Sequence, residues 1–210
     1  MKKKLLIIGA GSVGKFIAYN INQFNDSFEI IGFLDDDVLK HNTVIAGFQV
    51  LGSIEKLQDF SAKDISIVWG IAFPSIKNKL FNQYQNLSLN FPNFIAKDAW
   101  ISEGVQFGKG CIIYPGTTIN YETVIEDFVV INMNCSLWHN CNIQSFTSLA
   151  PGVNLGGNTK VGRCVEIGIG ASTIQSTLIG DNATIGGQAM VVSNVSESDV
   201  VVGIPAKSIK

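Results

Sequence analysis

The chain has 210 residues, of which 46% are hydrophobic and 15% charged, with a net charge of −2 and a pI near 5.6. Disorder requires low hydrophobicity and high net charge, so this composition excludes a disordered chain. The acidic pI offers no basic footprint for nucleic acid, and no stretch reaches the roughly 18 apolar residues of a membrane span. The apolar run after Lys2–Lys4 ends in glycine rather than at a cleavage site, so we expect a cytoplasmic protein.

The first 90 residues predict a small parallel α/β sheet. Apolar runs at 4–8, 29–34 and 65–70 predict three strands. An amphipathic segment from a glycine turn to about Phe24 predicts one helix, and residues 75–84 predict a second. Strand, helix and strand at this spacing indicate a half-Rossmann-like domain at 1–90, with a second domain at 91–210 and the boundary near Pro92.

A glycine turn after the first strand suggests a nucleotide site. Gly9, Gly11 and Gly14 match G-x-G-x-x-G between a strand and a helix, and Asp35 ends the second strand. Such glycines let backbone amides approach phosphate, and the carboxylate can meet a ribose hydroxyl. The motif alone suggests NAD, but a domain this short has room for one mononucleotide half. One nucleotide, or a nucleotide-linked ligand, is therefore favoured, and a glycine-rich structural turn is the alternative.

From residue 95 the sequence repeats every six residues, giving 17 hexads without a slip in register. Their first positions are Ile95, Ile101, Phe107, Ile113, Ile119, Ile125, Ile131, Leu137, Ile143, Leu149, Leu155, Val161, Ile167, Thr173, Ile179, Ile185 and Val191. The fifth positions hold only Ala, Val, Cys or Thr. A large residue alternating with a small one at this period predicts a parallel β-helix of nearly six coils, each of 18 residues.

The cysteines fit this repeat rather than a redox or zinc site. Cys111, Cys135 and Cys141 occupy fifth positions, which predicts small buried hydrophobic residues. Cys164 lies off that position and receives no role.

His139 is a candidate catalytic group. It is the third residue of its hexad, so the alternation points it outward, as a surface residue or as a base in a groove between subunits. Gly157 follows 18 residues later and should stack directly over it. A base beside a free amide is the minimum equipment for acyl transfer through an oxyanion. The other histidine, His41, lies in a polar loop, so the chain lacks the three histidines of a β-helix zinc site, and we expect no metal.

The whole chain resembles the left-handed β-helix (hexapeptide-repeat) acyltransferases. It is most similar to the subgroup with a small N-terminal α/β domain, the bacterial nucleotide-amino-sugar N-acetyltransferases, to which sialic acid O-acetyltransferases are related. The resemblance lies in the hexads together with Gly9–Gly11, Phe33–Asp37, Asn132, His139, Ala150–Gly152, Gly156–Gly157, Ile185–Gly187 and Gly203–Lys207.

This resemblance implies a homotrimer with acetyl-CoA in the groove between adjacent helices, acting on a UDP-, dTDP- or GDP-linked amino sugar for surface-glycan biosynthesis. It implies that His139 is the general base, beside Asn140, and that the Gly157 amide holds the thioester oxygen. The nucleotide-sugar residues would be Gly9, Gly11, Ser12, Asp35 and Asp36. The coenzyme A residues would be Gly157, Ile169, Gly170, Gly187, Pro205 and Lys207.

Three positions depart from the family pattern. Asn140 replaces the usual acidic neighbour of the histidine, so a weaker base is expected. Ser148 stands where some members have a second histidine, and Ser12-Val13 replaces Gly-His in the glycine turn. The alternatives are therefore O-acylation of a sugar hydroxyl, a nucleotide-binding β-helix protein without catalysis, and an NAD-dependent protein.

Overall fold

A computed structural model of the chain describes residues 2–24, 28–60 and 65–210. The N-terminal unit has the elements β1 (Lys3–Ile8), α1 (Ser12–Asn20), β2 (Phe28–Leu34), β3 (Val44–Ile45), β4 (Phe48–Gln49), β5 (Ile65–Trp69) and α2 (Pro74–Tyr84). The parallel sheet has the order β2-β1-β5, which confirms the predicted α/β class.

Two details of this unit differ from the predicted elements. Helix α1 ends at Asn20, and a 3₁₀ turn at Ile21–Gln23 continues it, because the Asn20 amide donates to the Phe16 carbonyl and competes with the helical pattern. The hairpin of β3 and β4 was not predicted, because each strand has only two residues. It turns at Ala46 and Gly47, both with positive φ.

A parallel β-solenoid follows the N-terminal unit. Within the continuously described stretch 65–210, seventeen two-residue strands, β6 to β22, coincide with the 17 predicted hexads. They are Phe94–Ile95, Trp100–Ile101, Gln106–Phe107, Ile112–Ile113, Thr118–Ile119, Val124–Ile125, Val130–Ile131, Ser136–Leu137, Asn142–Ile143, Ser148–Leu149, Asn154–Leu155, Lys160–Val161, Glu166–Ile167, Ser172–Thr173, Leu178–Ile179, Thr184–Ile185 and Met190–Val191. Strands β23 (Val200–Val202) and β24 (Lys207–Ser208) close the end.

Three sheets form the sides of the solenoid. One has six strands (β7, β10, β13, β16, β19, β22), one has five (β8, β11, β14, β17, β20), and one has eight (β6, β9, β12, β15, β18, β21, β23, β24). Successive strands within a sheet lie 18 residues apart, as in the pair Ile119 and Leu137. Three hexads therefore make one coil, as predicted.

The interior holds the first- and fifth-position side chains. Cys111, Cys135 and Cys141 are at most 1% exposed, whereas Cys164 is half-buried outside this column. Fifth-position threonines are also buried, because their hydroxyls donate to carbonyl oxygens of the next coil, as Thr147 does to Gly162 at 2.7 Å. The fifth position thus selects small size, and polarity is tolerated where a carbonyl is in reach.

The N-terminal unit packs on the eight-stranded sheet of the solenoid. Phe16 stacks on Tyr114 with ring centroids 4.3 Å apart. Lys77 of α2 is 1% exposed, and its ammonium group donates to the Phe128 carbonyl at 2.9 Å and to the Ser148 hydroxyl at 3.0 Å. Burial lowers the pKa of Lys77 to about 7. A titratable group therefore lies inside the junction between the two units.

Candidate functional site

The glycine turn joins β1 to α1 in a conformation that only glycine allows at two of its positions. Gly9 has φ +93, and its amide donates to the Leu34 carbonyl at 2.7 Å. A Cβ at Gly14 would overlap the Gly9 carbonyl oxygen, so these two glycines serve the close approach of helix and strand.

Gly11 differs from the other two glycines. A Cβ there would meet no protein atom within 4 Å, and φ is −88, which other residues adopt without strain. Gly11 is also the N-cap of α1, where no side chain caps the helix and Ser12 begins the first turn. The free first-turn amides and the helix dipole favour an anion at this point.

Asp35 holds the glycine turn in place. Its carboxylate accepts hydrogen bonds from the Ala10 amide at 2.7 Å and the Asp37 amide at 2.9 Å, and Lys40 binds both oxygens at 3.1–3.2 Å. Burial acts to raise the pKa of this carboxyl group, but the amides and Lys40 outweigh it, and the pKa is lowered. Protein donors already occupy the carboxylate that was predicted to meet a ribose hydroxyl. Asp36 is also engaged, accepting from the Ile54 amide at 2.9 Å.

A cleft of about 600 Å³ opens beside this turn. Its polar lining includes Gly11, Ser12, Asp35, Asp36, Lys40 and Lys79. The volume suits a ligand of nucleotide size, and two lysines beside a helix N-terminus suit phosphate groups.

A second cleft of about 410 Å³ adjoins the first, because Ala72 and Phe73 line both. It lies over the eight-stranded sheet and includes Ser148, Ile169 and Gly187. Together the two clefts form a continuous groove from the glycine turn to the solenoid.

His139 lies in the corner turn that follows β13, between the six-stranded and five-stranded sheets. Tyr121 stacks on the imidazole, with ring centroids 5.3 Å apart and planes 9° apart. A Cβ at Gly157 would lie 2.9 Å from Nε2 and Cε1 of the imidazole, so the predicted stacking of Gly157 over the ring is confirmed. Among the described residues none accepts a hydrogen bond from the Gly157 amide. An imidazole nitrogen beside a free amide can accept a proton and hold an oxyanion.

The other imidazole nitrogen has an amide partner. His139 Nδ1 lies 2.8 Å from Asn140 Oδ1, and Asn140 Nδ2 donates to Glu122 Oε2 at 2.6 Å. Glu122 therefore brings a carboxylate to the histidine from the preceding coil. Its signal in the sequence is the 18-residue offset from Asn140, which an inspection of near neighbours alone does not find.

The predicted residues fall on different edges of the solenoid. His139 and Gly157 follow strands of the six-stranded sheet, whereas Ile169, Gly170 and Gly187 follow strands of the eight-stranded sheet. Pro205 and Lys207 are exposed near β23 and β24. A single chain therefore brings together the histidine group and, separately, the groove, but does not bring these two together.

Similarity to known proteins agrees with this geometry. Residues 4–84 match the family model of the PglD N-terminal domain. GDP-perosamine N-acetyltransferase of Escherichia coli O157:H7 is 30% identical, and the similarity covers 94% of this chain and 81% of that protein. The chain belongs to the left-handed β-helix nucleotide-sugar acetyltransferase family.

Two other relatives define how far this family similarity extends. The acetyltransferase domain of PglB from Neisseria gonorrhoeae, solved in complex with acetyl coenzyme A, is 30% identical with a TM-score of 0.90, and the match covers 100% of both chains. The bifunctional protein GlmU of Corynebacterium glutamicum is 33% identical over 49% of this chain, which spans only 26% of that relative. This family member contains no group of three or more metal-ligating side chains among its described residues. None of its described helices has the length and apolarity needed to cross a membrane.

Proposed function

We propose that the protein is an acetyl-CoA-dependent N-acetyltransferase acting on the amino group of a nucleotide-linked amino sugar. The observation that carries the proposal is the juxtaposition of the His139 imidazole with the unbonded Gly157 amide. The acetyl coenzyme A complex of the PglB domain and the GDP-perosamine N-acetyltransferase relative support the choice of both substrates.

The reaction follows from these two groups. His139 Nε2 accepts a proton from the sugar amine as its nitrogen attacks the thioester carbonyl carbon. The carbonyl oxygen becomes an oxyanion, and the Gly157 amide donates a hydrogen bond to it. The tetrahedral intermediate then collapses, the carbon–sulfur bond breaks, and the imidazolium returns its proton to the coenzyme A thiolate.

The groove supplies the nucleotide site. The uncapped first turn of α1, beginning at Gly11 and Ser12, together with Lys40 and Lys79, would hold the diphosphate. The sugar would then extend past Phe73 toward Ile169 and Gly187. Asp35 and Asp36 would contribute by shaping the turn, because their carboxylates are bound by protein amides.

A homotrimer would complete the active site. Groove and histidine lie on different edges of one solenoid, so His139 of one subunit would face the groove of the next. Exposed aromatic side chains beside the six-stranded sheet support this, since Trp100 is 56% and Trp138 55% exposed. Acetyl-CoA would lie between subunits against Gly157, Ile169, Gly170, Gly187, Pro205 and Lys207, in the cytoplasm.

The decisive measurement is release of the coenzyme A thiol on mixing the protein with acetyl-CoA and UDP-, dTDP- or GDP-linked amino sugars. We expect turnover with one nucleotide class, and a loss of about 10²- to 10⁴-fold in His139→Ala, the range that a general base contributes. Thiol release only with sugars that lack the amine would indicate O-acylation instead. No release with any sugar from a folded protein would overturn the proposal.

A further inference from the structure

We propose that Glu122 is a positioning residue for His139. Acting through the Asn140 amide, it keeps the imidazole proton on Nδ1 and leaves Nε2 unprotonated beside Gly157. The inference rests on the proposed function for its catalytic consequence, but the proton position itself can be measured without any substrate.

The hydrogen-bonding capacity of each group fixes the direction of the chain. An ionised carboxylate can only accept, so the Asn140 group that faces Glu122 at 2.6 Å must be Nδ2. The Asn140 oxygen is thereby turned toward the imidazole, 2.8 Å from His139 Nδ1. An amide oxygen can only accept as well, so Nδ1 must carry the proton. The lone pair is then on Nε2, the nitrogen nearest to Gly157.

The solenoid makes this arrangement possible without a carboxylate next to the histidine in sequence. Glu122 and Asn140 are one coil apart and have φ values of 54 and 57, so the two corners have the same backbone shape. The Asn140 amide donates to the Tyr121 carbonyl at 3.0 Å, which ties the two corners together. Tyr121 also stacks on the imidazole and restricts its rotation.

An amide differs from a carboxylate in one respect that matters here. A carboxylate presents only acceptors to the imidazole, whichever way it turns. An amide can turn over and present its NH₂ group, which would hold Nδ1 as the acceptor and move the proton to Nε2. Because Asn140 occupies this position, the tautomer depends on an anchor for the amide, and Glu122 supplies it.

Four variants separate this role from a structural one. We expect Glu122→Ala to lower kcat about tenfold, a part of what a general base contributes, with KM for acetyl-CoA unchanged. Glu122→Gln keeps an acceptor for Asn140 and should lose less. In an Asn140→Asp background, which needs no anchor, Glu122→Ala should have no effect on kcat. Glu103→Ala, which removes an exposed carboxylate from the same edge one coil earlier, is the matched control.

The readout that is independent of activity is the nitrogen spectrum of ¹⁵N-histidine-labelled protein, above the pH at which histidine titrates. The two histidines can be assigned with His41→Gln. We expect the Nδ1–H form at His139 in the wild type and a shift toward Nε2–H in Glu122→Ala, reversed by Asn140→Asp. An Nε2–H wild type, or a tautomer and kcat indifferent to Glu122→Ala, would overturn the inference. The expected tautomers without turnover on any sugar would instead contradict the proposed function alone.

Discussion

The Thr173 hydroxyl accepts the hydrogen bond of the Gly156 amide at 3.0 Å. In adjacent coils the equivalent amides donate to backbone carbonyls, as Trp138 does to Leu155 at 3.1 Å. The ladder between β16 and β19 is accordingly reduced to the pair Asn154 and Ser172. The one first-position residue that is not a large apolar group therefore holds the peptide that precedes Gly157.

Thr173→Val should destabilise the protein despite adding apolar surface to the core. Without the hydroxyl the Gly156 amide loses its acceptor, which costs about 1–3 kcal/mol for a buried donor. Chemical denaturation measures this cost, with Ile167→Val, at another first position, as the control for a small change of volume. We also expect a lower kcat, because Gly157 follows the displaced peptide. Unchanged stability together with unchanged kcat would contradict this role of Thr173.

The regular part of the fold could be predicted because each hexad states the same requirement. A large residue fills the interior and a small one fits the corner, so 17 strands could be placed from residue type alone. The exception at Thr173 was visible in the sequence, but its function depends on a contact with the preceding coil.

The candidate site was predicted only where partners repeat the 18-residue register. Gly157 over His139 follows from that offset, and so in principle does Glu122 beside Asn140. The engagement of Asp35 by backbone amides, and the groove between the two units, depend on how the N-terminal unit docks on the solenoid. Local sequence carries no signal for that docking.

Gly157→Ala should leave a folded protein with impaired turnover. The new methyl group would lie 2.9 Å from the imidazole edge, so the ring must move away from the position facing the thioester. We expect kcat to fall by about 10²-fold or more, the scale of losing one oxyanion donor or misplacing a reacting group by an ångström. Circular dichroism and thermal unfolding check the fold. A fully active variant would show that neither group needs its present position.

The glycine turn offers a matched pair of variants, Gly11→Ala and Gly14→Ala. Gly11 has open space at its Cβ position, so alanine should leave stability unchanged and weaken nucleotide binding by crowding the groove. Alanine at Gly14 would overlap the Gly9 carbonyl and should destabilise the N-terminal unit. Calorimetric titration with UDP, dTDP and GDP, beside thermal unfolding, measures both effects. Normal nucleotide binding by Gly11→Ala would remove this turn from the proposed site.

Lys77 should make stability depend on pH at the junction of the two units. Burial lowers its pKa to about 7 from 10.5, so between these values the unfolded chain holds a proton that the native protein lacks. The free energy of unfolding then rises with pH in this window, by up to about 1.4 kcal/mol per pH unit, and below pH 7 the penalty is constant.

The Lys77→Met variant isolates this contribution from other titrating groups. We expect the difference in unfolding free energy between wild type and Lys77→Met to change in favour of the wild type from pH 7 to pH 9. Denaturation curves at several pH values measure it. A difference independent of pH would mean that Lys77 keeps its charge when buried.

Thiol labelling should distinguish the cysteines. Burial raises the pKa of Cys111 to about 12 and those of Cys135 and Cys141 to about 11, and all three are shielded from reagents. At pH 8 the native protein should therefore react only at Cys164, and slowly, while the denatured chain reacts at all four cysteines. Rapid native labelling of a fifth-position cysteine would show that the coils open.

The equal spacing of the coils makes each edge of the solenoid a row of interchangeable mounting points. A carboxylate one coil away reaches the same partner as a carboxylate next in sequence, with one amide between them. A substitution that removes the acid beside the base can thus be compensated 18 positions earlier with no change in backbone, as with Glu122 and Asn140. Residues whose substitutions compensate each other in such a protein should therefore occur at multiples of one coil.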